Sequence, residues 1–144
     1  MNRPTATTEG GVRANAGNIS LWVLQITLGA LFVVNFGPGK LLGSEESVEI
    51  FADIGVGQWL RYSTGILEVA GGLGLLVPRL SGLAALGLVG VMAGAVITDV
   101  FIVDESPIAP LTFMVIAGVI AWFRRDRSLA LIQQLRATRS HAGS

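Results

Sequence analysis

The chain has 144 residues, 51% of them hydrophobic and 14% charged, and its 10 basic residues balance its 10 acidic residues. This length fits a single domain, and a mean hydropathy of +0.65 is typical of a membrane protein rather than a soluble one. The lack of a basic excess argues against nucleic-acid binding, and the absence of cysteine excludes disulfides, thiolate metal sites and covalent c-type haem.

The first predicted element is a disordered N-terminal segment, residues 1–18, which is polar and rich in small side chains. Arg13 precedes an apolar run, as in a signal peptide, but no cleavage site of the A-x-A type follows. We therefore expect an uncleaved helix, broken near the membrane interface by Pro38 and Gly39.

Four apolar segments are the main feature of the chain, and about 20 apolar residues suffice to span the hydrocarbon core of a bilayer. The sequence therefore predicts an all-α membrane protein, with a bundle of four transmembrane helices over residues 19–123 and a basic tail over residues 124–144. The four segments lie at residues 19–36, 62–77, 80–103 and 108–123.

A short helix is predicted between the first and second segments. Ser44 is placed to cap it, and Val48, Phe51 and Ile54 recur on one of its faces, opposite the acidic residues. We expect this helix to lie on the outer surface of the membrane.

The placement of arginine and lysine predicts which ends of the helices face the cytoplasm. In the loop after the first segment, Lys40 and Arg61 are outnumbered by acids, and the last loop has Asp104 and Glu105 with no base. Both termini are therefore predicted to be cytoplasmic. The basic residues on that side are Arg3, Arg13, Arg79, Arg124, Arg125, Arg127, Arg136 and Arg139.

The basic tail admits two interpretations. Leu129, Ile132 and Leu135 recur near helical spacing, which fits a short amphipathic helix on the anionic inner leaflet and equally a solvated tail. The only histidine, His141, also lies in the tail, so facing intramembrane histidines cannot hold b-type haem. We expect no haem and no metal, and any redox centre must come from a partner or a diffusible cofactor.

Glu68 is the one charged residue inside the second apolar segment, in the stretch GILEVAGGLG. At a rise of about 1.5 Å per helical residue it lies roughly 10 Å below the outer face. Gly65 and Gly72 share its face of the helix, and small residues allow membrane helices to approach closely. Glu68 is therefore predicted to point into the bundle.

Three more polar residues, Asn35, Lys40 and Asp99, are predicted to lie in the same outer half of the membrane as Glu68. A charge inside the membrane costs about 2.5–3.5 kcal/mol to insert, so such residues are usually paired and often functional. We hypothesise that Glu68 and Lys40 are the catalytic pair of a small outward-opening pocket. The residues expected to bind a cofactor there are Asn35, Gly65, Gly72 and Asp99.

Structural alternatives exist for each polar candidate. Glu68 can be a protonated or paired acid that orients helices, and Lys40 can be an interfacial anchor. Asp99 can be solvated at the outer interface, and Asn35 can hydrogen-bond across helices.

A glycine stripe runs along the third predicted helix. Gly87, Gly90 and Gly94 lie on roughly the opposite side from Asp99. The stripe can meet another helix of this chain or, in a homo-oligomer, the same stripe of a second copy.

Three motifs carry a family resemblance: FGPGKLLG at the end of the first helix, GILEVAGGLGLLVPRLSGLAAL across the second and third, and MAGA later in the third. On these motifs the chain resembles the DoxX family of small four-helix bacterial membrane proteins, over about residues 21–123. The resemblance implies a multi-pass protein of the bacterial inner membrane. The residues that it carries are Lys40, Glu68, Gly71 and Gly72, whereas Asp99 has no matched family position.

Members of this family have been linked to thiosulfate:quinone oxidoreduction and to membrane-associated redox complexes. The resemblance thus implies the quinone-side subunit of an oxidoreductase, with a soluble redox enzyme bound on the cytoplasmic side. Because the chain has no cysteine and no intramembrane histidine, it would supply a quinone pocket and an anchor. Glu68 would accept a proton and Lys40 would be its electrostatic partner.

Two other classes of function stay open. A non-catalytic membrane scaffold would hold a soluble partner through the arginine-rich tail. A small proton-coupled transporter would also use one buried glutamate, but small multidrug transporters, which resemble this chain in size, place that acid in the first helix and not the second.

Overall fold

The computed structural model describes the backbone of residues 7–142 and the side chains of residues 15–126 and 128–138. The described backbone forms six helices. Helix α1 is α-helical over Thr7–Leu31, π-helical over Phe32–Phe36 and α-helical again over Gly37–Leu42. The others are α2 (Glu45–Asp53), α3 (Gln58–Leu76), α4 (Ser81–Thr98, continued by a π-helical turn at Asp99–Val103), α5 (Ile108–Phe123) and α6 (Arg125–Ala142).

Helix α1 begins at Thr7, inside the segment of residues 1–18 for which the sequence predicts disorder. Extending a helix costs little once its first turn exists, since each added residue gains one hydrogen bond. The packed apolar residues further along α1 supply that nucleus, so the helix continues into the polar lead-in. Residues 1–6 lie outside the described residues.

The predicted break at Pro38 and Gly39 is wrong, because α1 continues through both residues to Leu42. Proline lacks an N–H and its ring clashes with the carbonyl group four residues earlier in an ordinary helix. A π-helical turn at Phe32–Phe36 ends two residues before Pro38 and changes the hydrogen-bond register there. The helix ends instead at Gly43, which adopts a left-handed conformation with φ 75°.

The short helix predicted between the first two apolar segments is confirmed as α2, and its place on the outer surface of the membrane stays a prediction. Its cap is Ser44, whose side chain accepts a hydrogen bond from the backbone N–H of Ser47. Phe51 is buried, while Glu45 and Glu49 on the other side are exposed.

Two of the described helical stretches, Asn15–Leu42 and Ser81–Val103, are long and apolar enough to cross a membrane. Helices α5 and α6 give a third candidate if they are taken together, as Ile108–Phe123 and Ser128–Thr138 meet at a bend of 63°. The chain is therefore an all-helical membrane protein with two to three candidate spans. The prediction of four spans with both termini cytoplasmic goes further and stays a prediction.

The apolar core lies where α1, α3, α4 and α5 meet. An aromatic cluster is part of this core, with the ring of Phe113 at 5.8 Å from that of Phe32 and at 5.1 Å from that of Phe36. Large apolar side chains also cover the outside of the helices, as expected of a surface that faces lipid. The buried core residues are Leu28, Phe32, Leu75, Ala85, Leu88, Met92, Ala117 and Ile120.

The tail is helical, since α6 covers Arg125–Ala142. It runs beside the start of α4, where a Cβ atom added to Gly82 would collide with the side chain of Ser128. Whether α6 lies on the inner leaflet stays a prediction.

Candidate functional site

Helices α1 and α3 touch backbone to backbone at two levels. A Cβ atom added to Gly72 would lie 2.9 Å from the carbonyl oxygen of Gly29, and one added to Gly65 would lie 3.2 Å from that of Gly37. These approaches leave no room for larger side chains at the crossing. The glycine face predicted on α3 is therefore its contact with α1, and it carries Glu68 into the bundle.

Lys40 and Glu68 form an ion pair at this crossing. Lys40 Nζ lies 2.9 Å from each of the two carboxylate oxygens of Glu68, so it donates to both. Glu68 is almost fully buried, with 2% of its side chain exposed, whereas Lys40 retains 21% exposure. The predicted meeting of these two residues is confirmed, and the lysine is the more accessible member.

The geometry explains how a carboxylate can occupy this position. An unpaired buried charge is costly, and a close ion pair with further hydrogen bonds offsets much of that cost. Lys40 reaches Glu68 because its backbone lies directly against α3, where a Cβ atom on Gly65 would be 3.1 Å from Lys40 Cβ. The ion pair thus requires the close approach of α1 and α3 that Gly65 and Gly72 allow.

Arg61 also belongs to this site, although the sequence analysis assigned it only to the outer loop. Its side chain is 4% exposed, and its Nη1 donates to the backbone carbonyl oxygen of Lys40. Its Nε donates to Gln58 Oε1 at 2.6 Å. Helical spacing is the sequence pattern that could have placed Arg61 at this site, since Arg61 lies seven residues before Glu68 and therefore shares its face of the helix.

The remaining polar candidates differ in their position relative to the pair. Asp99 is half-buried at the start of the π-helical turn of α4. Asn35, in contrast, is exposed on α1. The structure therefore brings Lys40 and Glu68 together, and Asn35 is not part of that pair.

A second buried polar cluster, which the sequence analysis missed, lies toward the other end of the bundle. Gln25 is fully buried and donates to the backbone carbonyl oxygen of Leu75. Arg124, 4% exposed, donates from Nε to Gln25 Oε1 at 3.2 Å and from Nη1 to Asn18 Oδ1 at 3.3 Å. The cluster ties α1 to the end of α3 and to the junction between α5 and α6.

The π-helical turn of α1 separates its two amides, Gln25 and Asn35. Gln25, Leu28 and Phe32 recur at three and four residues and are all buried, which defines the inner face of α1. In an uninterrupted α-helix, Asn35 would lie about 20° from Leu28 and therefore on that same face. Asn35 instead lies within the π-helical turn Phe32–Phe36, which changes the rotation per residue, and it is exposed. Helical spacing alone therefore does not separate the two amides.

Two apolar grooves lie on the outside of the described helices, and neither includes Lys40 or Glu68. The larger, of about 320 Å³, runs between α3 and α4 and is lined by residues such as Gly71 and Gly87. The smaller, of about 170 Å³, lies between α1 and α5. Neither groove is the outward-opening pocket predicted around the ion pair, and that pocket stays a prediction.

The glycine stripe of α4 faces away from the other described helices of the chain. A Cβ atom added to Gly87, Gly90 or Gly94 would have nothing within 4 Å. Of the two partners considered for this stripe, another helix of the same chain does not occupy it among the described residues. Contact with a second copy stays a prediction.

Comparison with protein families identifies this architecture. The model of the DoxX-like family matches residues 23–132. That range contains the α1–α3 crossing, the Lys40–Glu68 ion pair and helices α4 and α5. The comparisons with curated proteins and with solved structures found no match. Because the family model matches well over half of the residues of this chain, the chain belongs to the DoxX-like family.

Proposed function

We propose that this protein is the quinone-side membrane subunit of a redox complex and that its Lys40–Glu68 pair handles the proton. The observation that supports the proposal best is the pair itself: a buried carboxylate held at 2.9 Å from both oxygens by the chain's only lysine. Intramembrane acids that are paired in this way commonly belong to proton pathways.

The residues around the pair have the chemistry that a quinone requires. The Lys40 ammonium is partly exposed and can donate to a carbonyl oxygen of the ring. One turn below it on α1, Phe36 packs on Phe113 and provides an aromatic surface. A bound quinone would supply the electron chemistry, since it takes up two electrons and two protons when it is reduced.

The two members of the pair have different roles in this proposal. Glu68 holds the proton on a carboxylate oxygen, and Lys40 stabilises the ionised form by a short, charge-assisted double contact. When Glu68 is protonated its attraction for Lys40 weakens, and the long lysine side chain is free to turn outward. In this proposal Asp99, half-buried on α4, would then attract the ammonium. Proton uptake and access to the pair are thereby coupled.

The proposal includes four membrane spans with both termini in the cytoplasm of a bacterial cell. Helix α3 has 19 residues and therefore a length of about 28 Å, close to the thickness of the hydrocarbon core. Its charged residues, Arg61 and Glu68, are buried against the bundle and do not face lipid. The pair then lies in the outer half, and α6 with its arginines is available to a soluble redox enzyme in the cytoplasm.

Reporter fusions test this topology. A reporter fused after Arg79 or at Ser144 should indicate the cytoplasm, and one inserted near Glu46 should indicate the outside, because basic loops are retained in the cytoplasm. A C-terminus on the outside would contradict the topology and would place Lys40 and Glu68 in the inner half of the membrane.

Purification in a mild detergent, followed by lipid extraction, tests the proposed ligand. We expect quinone to co-purify with the wild-type protein. A smaller amount of quinone should co-purify with Lys40→Met, because that variant lacks the ammonium that donates to the ring carbonyl. Arg79→Gln is the control, since Arg79 is exposed in the turn between α3 and α4. Equal quinone in all three preparations would indicate adventitious extraction from the membrane and would contradict the proposal.

A non-catalytic scaffold is the second candidate, and one observation favours it. Helix α6 presents Arg125, Arg136 and the apolar side chains of Leu129 and Leu135 to the outside. A stoichiometric soluble enzyme in the same purification, without quinone, would support the scaffold over the quinone-side subunit.

A further inference from the structure

We infer that Arg61 is a positioning residue that holds Lys40 in place for its contact with Glu68, an inference that rests on the function proposed for that pair. The residue contacts the backbone of Lys40 and not the carboxylate. It therefore acts on the site through the position of α1 and not by binding a ligand.

The contacts of Arg61 join the two helices that carry the pair. Its guanidinium group belongs to α3 and donates from Nη1 to the carbonyl oxygen of Lys40 on α1. Its own orientation is set by the hydrogen bond from Nε to Gln58 Oε1 at 2.6 Å and by the ring of Tyr62, whose centroid is 4.3 Å from the guanidinium carbon. The guanidinium is thus held on several sides.

The burial of Arg61 is not explained by an acidic partner. Among the described residues, the ion pairs within 4.0 Å are Lys40–Glu68 and Arg125–Asp126, so neither involves Arg61. Burying a guanidinium without a carboxylate is costly. A helix C-terminus offers partial compensation, since its last carbonyl groups lack partners within the helix and carry partial negative charge. Lys40 lies in the last turn of α1, and its carbonyl group is the one that Arg61 reaches.

The position of the Lys40 backbone matters because the ion pair with Glu68 restricts how far that backbone can move from α3. The ammonium contacts both oxygens of Glu68 at the same distance, which requires the lysine backbone to stay close to α3. Gly65 permits that approach, and the bond from Arg61 prevents the last turn of α1 from moving away. Without Arg61, the unpaired carbonyl groups at the end of α1 would turn to water, and the end would fray.

Solid-state NMR can measure this effect without an activity assay. Lys40 is the only lysine in the chain, so labelling with ¹⁵N-lysine places a single Nζ label in the protein. Dipolar dephasing between this nitrogen and ¹³C-labelled glutamate carboxyl carbons should be strong in the wild type because of the close Lys40–Glu68 pair. We expect Arg61→Gln to lose most of this dephasing, and Arg79→Gln, the exposed arginine control, to retain it.

Dephasing of wild-type strength in folded Arg61→Gln would overturn the inference. If that variant does not fold, Gln58→Leu provides the same test, because it removes the acceptor of the hydrogen bond from Arg61 Nε and keeps the arginine. Weaker dephasing in Gln58→Leu then supports the inference, and wild-type dephasing overturns it. The dephasing result does not depend on the proposed function. A Glu68→Gln variant with full activity would refute the proton role of Glu68, but it would leave standing the inference that Arg61 positions Lys40.

Discussion

Glu68→Gln should leave the protein folded and abolish its quinone-linked activity. The amide has the shape of the carboxylate and can still accept a hydrogen bond from Lys40, but it cannot take up a proton at neutral pH. We expect a stability cost of about 1–3 kcal/mol, the range for a hydrogen bond to a charged group. The cost stays below the about 3–5 kcal/mol of an orphaned buried charge, because the remaining charge, Lys40, is partly exposed.

The measurement combines thermal melting in detergent with quinone reduction by membranes that contain the variant. Glu49→Gln is the matched control, since Glu49 is an exposed glutamate on α2 and should keep full activity. Lys40→Met should show a milder loss of activity than Glu68→Gln, because the carboxyl group that holds the proton is retained. Full activity of Glu68→Gln at normal stability would contradict this prediction.

Gly72→Leu should strongly destabilise the protein. The first added carbon alone would lie 2.8 Å from Val33 Cγ2 and 2.9 Å from the backbone oxygen of Gly29, so α1 and α3 must separate. Overpacking in a close-packed core costs about 1–3 kcal/mol and sometimes more. Here the cost should lie at the upper end, because a backbone atom cannot rotate away. Lys40 should then also lose its contact with Glu68, which depends on the same crossing.

Melting temperatures in detergent check this second prediction, with Gly118→Leu as control. Gly118 is also a helical glycine, on α5, but a Cβ atom added there would meet nothing within 4 Å. We expect the control to melt like the wild type and Gly72→Leu to melt far below it. Equal melting of both variants would remove the evidence that the glycine face of α3 holds α1.

The Lys40–Glu68 contact could be predicted from the sequence because it follows from local rules. The depth of each residue comes from helical rise, and the rotation of Glu68 comes from its spacing to Gly65 and Gly72. Since a buried carboxylate needs a partner, the chain's only lysine, at the same depth, was the natural candidate. The cap of α2 by Ser44 was predictable for the same reason, as capping depends on neighbouring residues.

Features that depend on distant contacts were not predictable in this way. The hydrogen bond between Arg124 and Gln25 joins residues 99 positions apart, and no local pattern relates them. The passage of α1 through Pro38 depends on a π-helical turn that propensity rules do not predict. For Arg61, the basic residues of the outer loop were used to infer topology, and its burial only became visible once α1 and α3 were packed together.

Complementation of a deletion strain tests most directly whether Glu68 is a functional or a structural acid. The strain would express the wild type, Glu68→Gln or Glu49→Gln at equal membrane levels, and growth would be followed under sulfur or oxidative stress. We predict that the wild type and Glu49→Gln restore growth and that Glu68→Gln does not, although it is folded at the growth temperature. Full rescue by Glu68→Gln would show that the carboxylate serves only to join α1 and α3, and would contradict the proton role assigned to the Lys40–Glu68 pair.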